Sequence, residues 1–329
     1  MKSRRYNVLK ILGVTWIGLM VVMALGAGFW APDTSPDANR QWLSARALDP
    51  GTRVWVRQAE DQQGAPEVFT RVWIQDQQVL GQPPQGAAPK TLGSLTTMQT
   101  AEEQSRWSSH TFWLGSDPLG RDVLSRLMRG ARMSLGIGAV AVVISLLVGL
   151  LLGVMAGWYG GFLARFINGI THFVWAIPTL LLVMVITLFL GQGVVPVFVA
   201  VGLTMWVDVA RLMEGEVRRM RGMDFVVAAK ALGFPGFRIW TRHVLPGLMG
   251  PLMVVAASNF AAAILIESGL SFMGIGVQPP APTWGGMVEA HRMYLMAGKP
   301  YLALFPGLAI VLLVLAFTFA GQGTGKREG

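Results

Sequence analysis

Five long stretches that contain no Asp, Glu, Lys or Arg read as membrane-crossing: Ile11 to Trp30, Met133 to Ala164, Phe166 to Val207, Val244 to Ile266 and Pro300 to Gly325. A helix that crosses a bilayer needs about 20 predominantly apolar residues, and every run reaches that length. The pattern predicts a membrane protein. Composition agrees, since 53% of the 329 residues are hydrophobic and 14% are charged, where soluble domains carry about 25% charged. Cysteine is absent, which excludes a disulfide framework, a thiolate metal site and a cysteine nucleophile.

The Phe166–Val207 run is too long for one helix, and Gly191-Gln192-Gly193 with Pro196 beyond it reads as a turn that divides it in two. The expected fold class is therefore an all-α polytopic membrane protein with six transmembrane helices. Lys2, Arg4, Arg5 and Lys10 precede the first span, and basic flanks favour the cytoplasmic side. Counting across, the 208–243 loop and the tail with Lys326 and Arg327 are also cytoplasmic, so both termini lie inside. The first span has the basic flank and small residues of a signal peptide, but its apolar core is longer than such a segment requires, and it is read as retained. The formal charge of +9 then reports topology and docking surfaces, with no reason to expect nucleic acid.

Between the first two spans, residues 31–110 are rich in charge. Thr52–Arg57 and Glu67–Ile74 alternate with period two, as half-buried strands do. Gln62 to Pro66 reads as a turn and Gly81 to Pro89 as a loop. A small β-rich extracytoplasmic insert follows, serving either as a spacer or as a binding lobe. The expected organisation is residues 1–30 as N-terminus and first span, 31–110 as insert, 111–320 as a helical transmembrane domain, and 321–329 as a cytoplasmic tail.

Two further segments stand out. Leu114 to Leu135 reads LGSDPLGRDVLSRLMRGARMSL; its second half has helical periodicity, with Asp122 and Arg126 at the spacing of an ion pair, and suggests a basic amphipathic helix at the membrane interface. In the cytoplasmic loop, Asp224 to Pro246 reads DFVVAAKALGFPGFRIWTRHVLP. Ala228, Ala229, Ala231 and Leu232 favour helix, Gly233 suits a C-terminal cap, Pro235 forbids continuation, and Pro246 suits the first turn of the next span. Such a helix either lies in a partner's groove or merely connects two spans.

These residues carry a resemblance. Ala228-Ala229, three residues, Gly233, nine residues and then His243-Val244-Leu245-Pro246 resemble the cytoplasmic motif of the integral membrane subunit of binding-protein-dependent ABC importers, of the dipeptide/oligopeptide/nickel permease type. Leu114–Leu135 is similar to the same family, as is Glu267–Pro280 followed by Thr283-Trp284-Gly285. Val227 stands where that motif has Glu, and His243 where it has Ile. The resemblance implies a bacterial cytoplasmic (inner) membrane permease with no catalytic site and no cofactor of its own. It implies a second permease subunit, two cytoplasmic ATPase subunits that carry ATP and magnesium, and an extracytoplasmic solute-binding protein. It assigns ATPase coupling to Asp224, Val227, Ala228, Ala229, Lys230, Ala231, Leu232, Gly233, Leu245 and Pro246. Docking of the binding protein falls to Leu114, Gly115, Asp117, Gly120, Arg121, Asp122, Gln278, Pro279 and Trp284.

Within the spans, Glu267 is a carboxylate in the fifth. Burying such a group in lipid is costly, so it either lines the passage or sits near the outer boundary. Asn259 is a polar candidate for the passage or for helix packing. The alternative class is an ion-coupled secondary transporter, but no internal repeat supports it. Gly321-Gln322-Gly323-Thr324-Gly325-Lys326 lacks the spacing of a phosphate loop, so ATP hydrolysis is expected in trans.

Overall fold

The uncharged runs become helices whose ends are set by glycine and proline. The computed structural model describes residues 2–58, 66–191 and 193–321. Most of the turn at Gln62–Pro66 and the tail beyond Gly321 lie outside the described residues. Thirteen α-helices are described: α1 (Lys2–Trp30), α2 (Leu95–Met98), α3 (Ala101–Ser105), α4 (Val123–Tyr159), α5 (Gly161–Trp175), α6 (Thr179–Leu190), α7 (Val194–Thr204), α8 (Trp206–Arg221), α9 (Asp224–Ala231), α10 (Gly236–Ile239), α11 (Leu245–Phe272), α12 (Trp284–His291) and α13 (Tyr301–Gly321).

Five segments are long and apolar enough to cross a membrane: Val8–Trp30, Val123–Tyr159, Val194–Arg221, Leu245–Phe272 and Tyr301–Gly321. A sixth candidate is the pair α5 and α6, bent by 92°. The expected break at Gly191–Gly193 is present, since α6 ends at Leu190 and α7 begins at Val194. The run before it was expected as one span, and it is broken. Pro178 supplies no N–H and restricts Ile177 before it, so the helix stops at Trp175 and restarts at Thr179. At about 1.5 Å per residue the 12 residues of α6 reach about 18 Å, short of a bilayer core of about 30 Å. The span count is thus five to six.

A second difference concerns the start of α4. The interfacial helix expected before residue 133 is the first part of one continuous 37-residue helix, because Arg126, Arg129 and Arg132 interrupt charge-free sequence without interrupting helical propensity. A third lies at α11. Helical backbone runs from Gly236 through a π turn at Trp240–Val244 into α11. Pro246 therefore follows a helical turn instead of opening a free helix, and the wider π turn accommodates its missing donor.

The chain divides into two compact units. The helical unit comprises Met1–Val22, Met133–Gln278 and Leu308–Gly329. Its cores gather Ala141, Val183, Val197, Ala200 and Ala263, and Val209, Met213, Val217, Ile239 and Leu248. Close helix approach is set by Gly149, Gly153 and Gly157 of α4. A Cβ on these would fall 2.6 Å from Trp206 O, 2.4 Å from Ala210 O and 2.8 Å from Glu214 O. Small residues four apart thus seat α4 directly on the backbone of α8.

The other unit comprises Met23–Arg132 and Pro279–Gly307, so residues 111–132 and 279–307 group with the insert. It holds two antiparallel three-stranded sheets, in the orders β2-β1-β6 and β3-β4-β5. The strands are β1 (Thr52–Arg57), β2 (Glu67–Phe69), β3 (Arg71–Gln75), β4 (Gln78–Gln82), β5 (Lys90–Ser94) and β6 (Trp107–Phe112). β1 lies where alternation placed it. The expected strand at Glu67–Ile74 divides at Thr70, so that β2 pairs with β1 and β3 with β4. The expected loop begins within β4, and Pro84–Gly86 forms a 3-10 turn. Val54, Val56, Val68 and Phe112 form one core and Phe69, Val79 and Leu92 another.

Candidate coupling and docking sites

α9 begins after Met223 and ends in a motif dictated by Gly233. Asp224 in the first turn complements the helix dipole. At the other end Gly233 N donates to Lys230 O at 3.0 Å and Phe234 N to Ala229 O at 3.1 Å. Gly233 has φ of +78°. This is the paired six-to-one and five-to-two closure of a helix by a left-handed residue, and Pro235 follows.

The two faces of α9 are unlike. Val226 and Ala229, three residues apart, are buried against Met213, Val217 and Met220 of α8 and against Ile239, Val244 and Leu248. Asp224, Val227, Ala228, Lys230, Ala231, Leu232 and Gly233 are exposed. Val227 is 54% exposed, Leu232 74% and Phe237 78%, so a contiguous sequence segment leaves large apolar side chains uncovered, as interaction surfaces do. Of the ten residues assigned to coupling, Ala229 packs inward, Leu245 is half-buried and Pro246 is exposed. Lys230 Nζ lies 4.9 Å from the ring centre of Trp158.

Most of the assigned residues in the segment 114–122 form a buried knot, with Leu114 half-buried beside it. Gly115 and Gly120 have φ of +84° and +73°. A Cβ on Gly120 would fall 1.8 Å from Trp42 O, and one on Gly115 2.6 Å from Leu48 O. Asp117 Oδ1 accepts from Leu119 N at 2.8 Å and Arg121 N at 2.9 Å, while Oδ2 accepts from Arg121 Nε. Arg121 Nη1 donates to Asn39 Oδ1 at 3.1 Å. The ion pair expected between Asp122 and Arg126 is replaced: Asp122 Oδ2 accepts from Ser125 N at 2.8 Å, which makes Asp122 the N-cap of α4. Arg126 Nε instead lies 4.0 Å from Asp117 Oδ2. Burial raises the Asp122 carboxyl, and hydrogen bonds from Ser125 oppose it.

Trp284 is also buried, its Nε1 donating to Leu127 O at 2.9 Å. Gly130 leaves room for it, since a Cβ there would meet Trp284 Cδ1 at 2.9 Å. Of the nine docking residues, Gly115, Asp117, Gly120, Arg121, Asp122 and Trp284 are buried, Leu114 is half-buried, and Gln278 and Pro279 are exposed.

Both polar candidates in α11 are buried. Asn259 Nδ2 donates to Ser145 Oγ and to Met205 O, both at 3.3 Å, and so ties three helical segments together. Glu267 Oε1 accepts from Ser271 Oγ at 2.8 Å one turn on. The glycine ladder of α4 was missed in the sequence, although its four-residue repeat was visible there. No cluster of three or more His, Cys, Asp or Glu suited to a metal is present among the described residues.

Five to six candidate spans and a short capped helix with an uncovered apolar face define a membrane-embedded subunit with a surface left for a partner. The chain belongs to the family of binding-protein-dependent transport system inner membrane components, which matches residues 149–324. It is 36% identical over 225 residues to the dipeptide transport system permease protein DppC of Bacillus subtilis, covering 68% of this chain and 70% of that one. It is 36% identical over 215 residues to the glutathione transport system permease protein GsiD of Pectobacterium atrosepticum, covering 65% and 71%. The GsiD of Salmonella typhimurium is 41% identical over 211 residues, covering 64% and 69%. In fold, the chain is similar to a structure of the inward-facing MetNI methionine ABC transporter, with a TM-score of 0.50, 18% identity, and coverage of 59% of this chain and 92% of that one. The protein is thus the permease subunit of an ABC importer and not itself an enzyme, and the ion-coupled alternative falls away.

Proposed function

We propose that this permease passes peptides or peptide-like solutes, the class to which dipeptides and glutathione belong, across the bacterial inner membrane. In this reading six spans cross with both termini cytoplasmic, and the bent α5–α6 pair counts as one of them. A second permease completes the passage, and a solute-binding protein delivers cargo from outside. Two ATPase subunits, which hold ATP and magnesium, dock on α9 and its counterpart.

The uncovered face of α9 and α10, in register with the family's cytoplasmic motif, carries this reading. Closure of the ATPase pair binds one arrangement of α9 better than another, and that difference in affinity shifts the permease between its inward- and outward-facing states. For the outer side, Leu114, Gln278 and Pro279 supply the accessible contacts, while Asp117, Arg121, Asp122 and Trp284 hold together the unit that carries Leu114 and Pro279. Glu267 and Asn259 act from within the helix packing to shape the passage.

The test is co-purification of the tagged permease with ATPases encoded beside it, together with mass spectrometry of the ligand carried by the neighbouring binding protein. Recovery of both ATPases and a peptide-class ligand is expected. A ligand of another class overturns the substrate assignment, and absence of any associated ATPase overturns the coupling assignment.

A further inference from the structure

α4 carries a stripe at helical spacing, Leu147, Leu150, Leu151, Val154, Met155 and Trp158, that forms one wall of a groove of about 620 Å3, with Phe237 and Trp240 on the other side. From Leu147 to Trp158 the stripe rises about 16 Å, the depth of one leaflet of a hydrocarbon core about 30 Å thick. Its apolar length ends at an aromatic pair, Trp158 and Tyr159, side chains that favour the membrane–water boundary.

Two cations converge on that end. Lys230 Nζ sits over the Trp158 ring at 4.9 Å, and Arg221 Nη1 donates to Trp158 O at 2.7 Å. Arg218 and Arg219 are paired with Glu214 and Glu216, whereas Arg221 and Lys230 have no carboxylate partner among the described residues. A leaflet-long apolar wall that ends in unneutralised positive charge complements one kind of molecule.

We propose that this groove binds an anionic phospholipid, with an acyl chain along the α4 stripe and the phosphate at Lys230 and Arg221. A protein helix would fill the apolar part but leave both cations without a counter-charge. Because Lys230 lies on α9, the bound headgroup also bears on the segment through which ATP hydrolysis is coupled. The site would tie coupling to the charge of the surrounding leaflet.

The full-length chain in detergent is titrated with phosphatidylglycerol, phosphatidylcholine of the same acyl chains, or glycerol 3-phosphate alone, and read by native mass spectrometry and thermal unfolding. Several-fold greater retention of phosphatidylglycerol, with a matching upward shift in melting temperature, is expected. Equal retention of the two lipids overturns the proposal, and equal stabilisation by glycerol 3-phosphate reduces it to a free-phosphate site. In the Arg221→Gln/Lys230→Gln double variant the preference for phosphatidylglycerol should vanish, and its persistence refutes the headgroup assignment. Leu151→Trp should lower retention of both lipids. Since the chain lacks cysteine, Leu151→Cys in native membranes reports any protein seated there. Efficient crosslinking to a second permease identifies a protein as occupant instead. Should a variant fail to fold, the comparison of lipids on the unaltered chain still decides.

Discussion

At Gly233 the constraint is the backbone alone. Its φ is +78° and nothing lies within 4 Å of where a Cβ would stand. The left-handed conformation costs a side-chain-bearing residue about 1–2 kcal/mol, with Asn the best tolerated. Gly233→Ala is therefore expected to destabilise the detergent-solubilised chain by about 1 kcal/mol and Gly233→Asn by less, read by thermal unfolding. A loss that follows side-chain volume instead would contradict this account. Gly120 differs, because added atoms would strike Trp42 O, and there Asn should be no better than Ala. Protonation adds a second residue-level effect. Burial pushes the imidazoles of His110 and His291 below their ordinary value. In the unfolded chain each binds a proton below about pH 6.5, so the unfolded state holds more protons there and stability is lost as pH falls through that value toward the folded one. Asp122 acts in the opposite sense, since its raised carboxyl favours the folded state at low pH and that contribution is lost as pH rises through its folded value. Melting temperature is compared between the unaltered chain and His291→Gln from pH 7.5 to 5.5, so that Asp122 cancels. The variant should show the shallower decline, and parallel curves would assign the decline elsewhere.

The packing of α4 on α8 rests on positions where no side chain fits. A Cβ on Gly153 would come within 2.4 Å of Ala210 O and 2.9 Å of Met213 Cβ. Overpacking of this kind costs about 1–3 kcal/mol, so Gly153→Val is expected to reduce stability by that amount, whereas Gly136→Ala, on the same helix with open space around it, should be neutral or better. Comparable losses at both would show that helix propensity, rather than close approach, governs α4. Which elements were legible in the sequence follows from the range of the forces that make them. α9 was legible because its cap is local: Gly233 and Pro235 act within one turn. β1 was legible because its alternation is set by one buried face. β6 was not, since Trp107–Phe112 shows no clean alternation and is held as a strand by pairing with residues 52–57, 50 to 60 positions earlier. The 92° bend between α5 and α6 was lost inside a run defined only by absence of charge, although Pro178 marked it. The partner of Asp122 was misread for a related reason. Spacing offered Arg126, but the helix N-terminus offered the Ser125 amide, which is nearer and fixed by the backbone.

At the scale of the whole molecule, exposure separates residues that hold the fold from residues left for a partner. Six of the nine residues assigned to the outer docking site are buried, so substitutions there should act by unfolding the knot. Asp122→Ala, which removes the N-cap of α4, is expected to cost about 1 kcal/mol and to lower uptake only in proportion to the folded protein lost. α9 behaves otherwise. Val227 and Leu232 are more than half exposed, and exposed positions remote from special structure usually shift stability by no more than about 0.5 kcal/mol. If partner ATPases cover them, however, their contribution to binding is that of buried apolar anchors, each worth about 2 kcal/mol or more. Leu232→Asp with Val227→Asp is therefore expected to leave membrane insertion and melting temperature nearly unchanged while reducing co-purified ATPase by at least about tenfold, the equivalent of about 1.4 kcal/mol. Ala229→Leu provides the contrast: Ala229 is packed among Val217, Ile239 and Leu248, so this change should lower the melting temperature first and ATPase association with it. If the double variant retained its ATPases, the uncovered face of α9 would belong to some other contact. Loss of association without loss of stability, opposite to the pattern of Ala229→Leu, is the signature that distinguishes a docking face from a buried core.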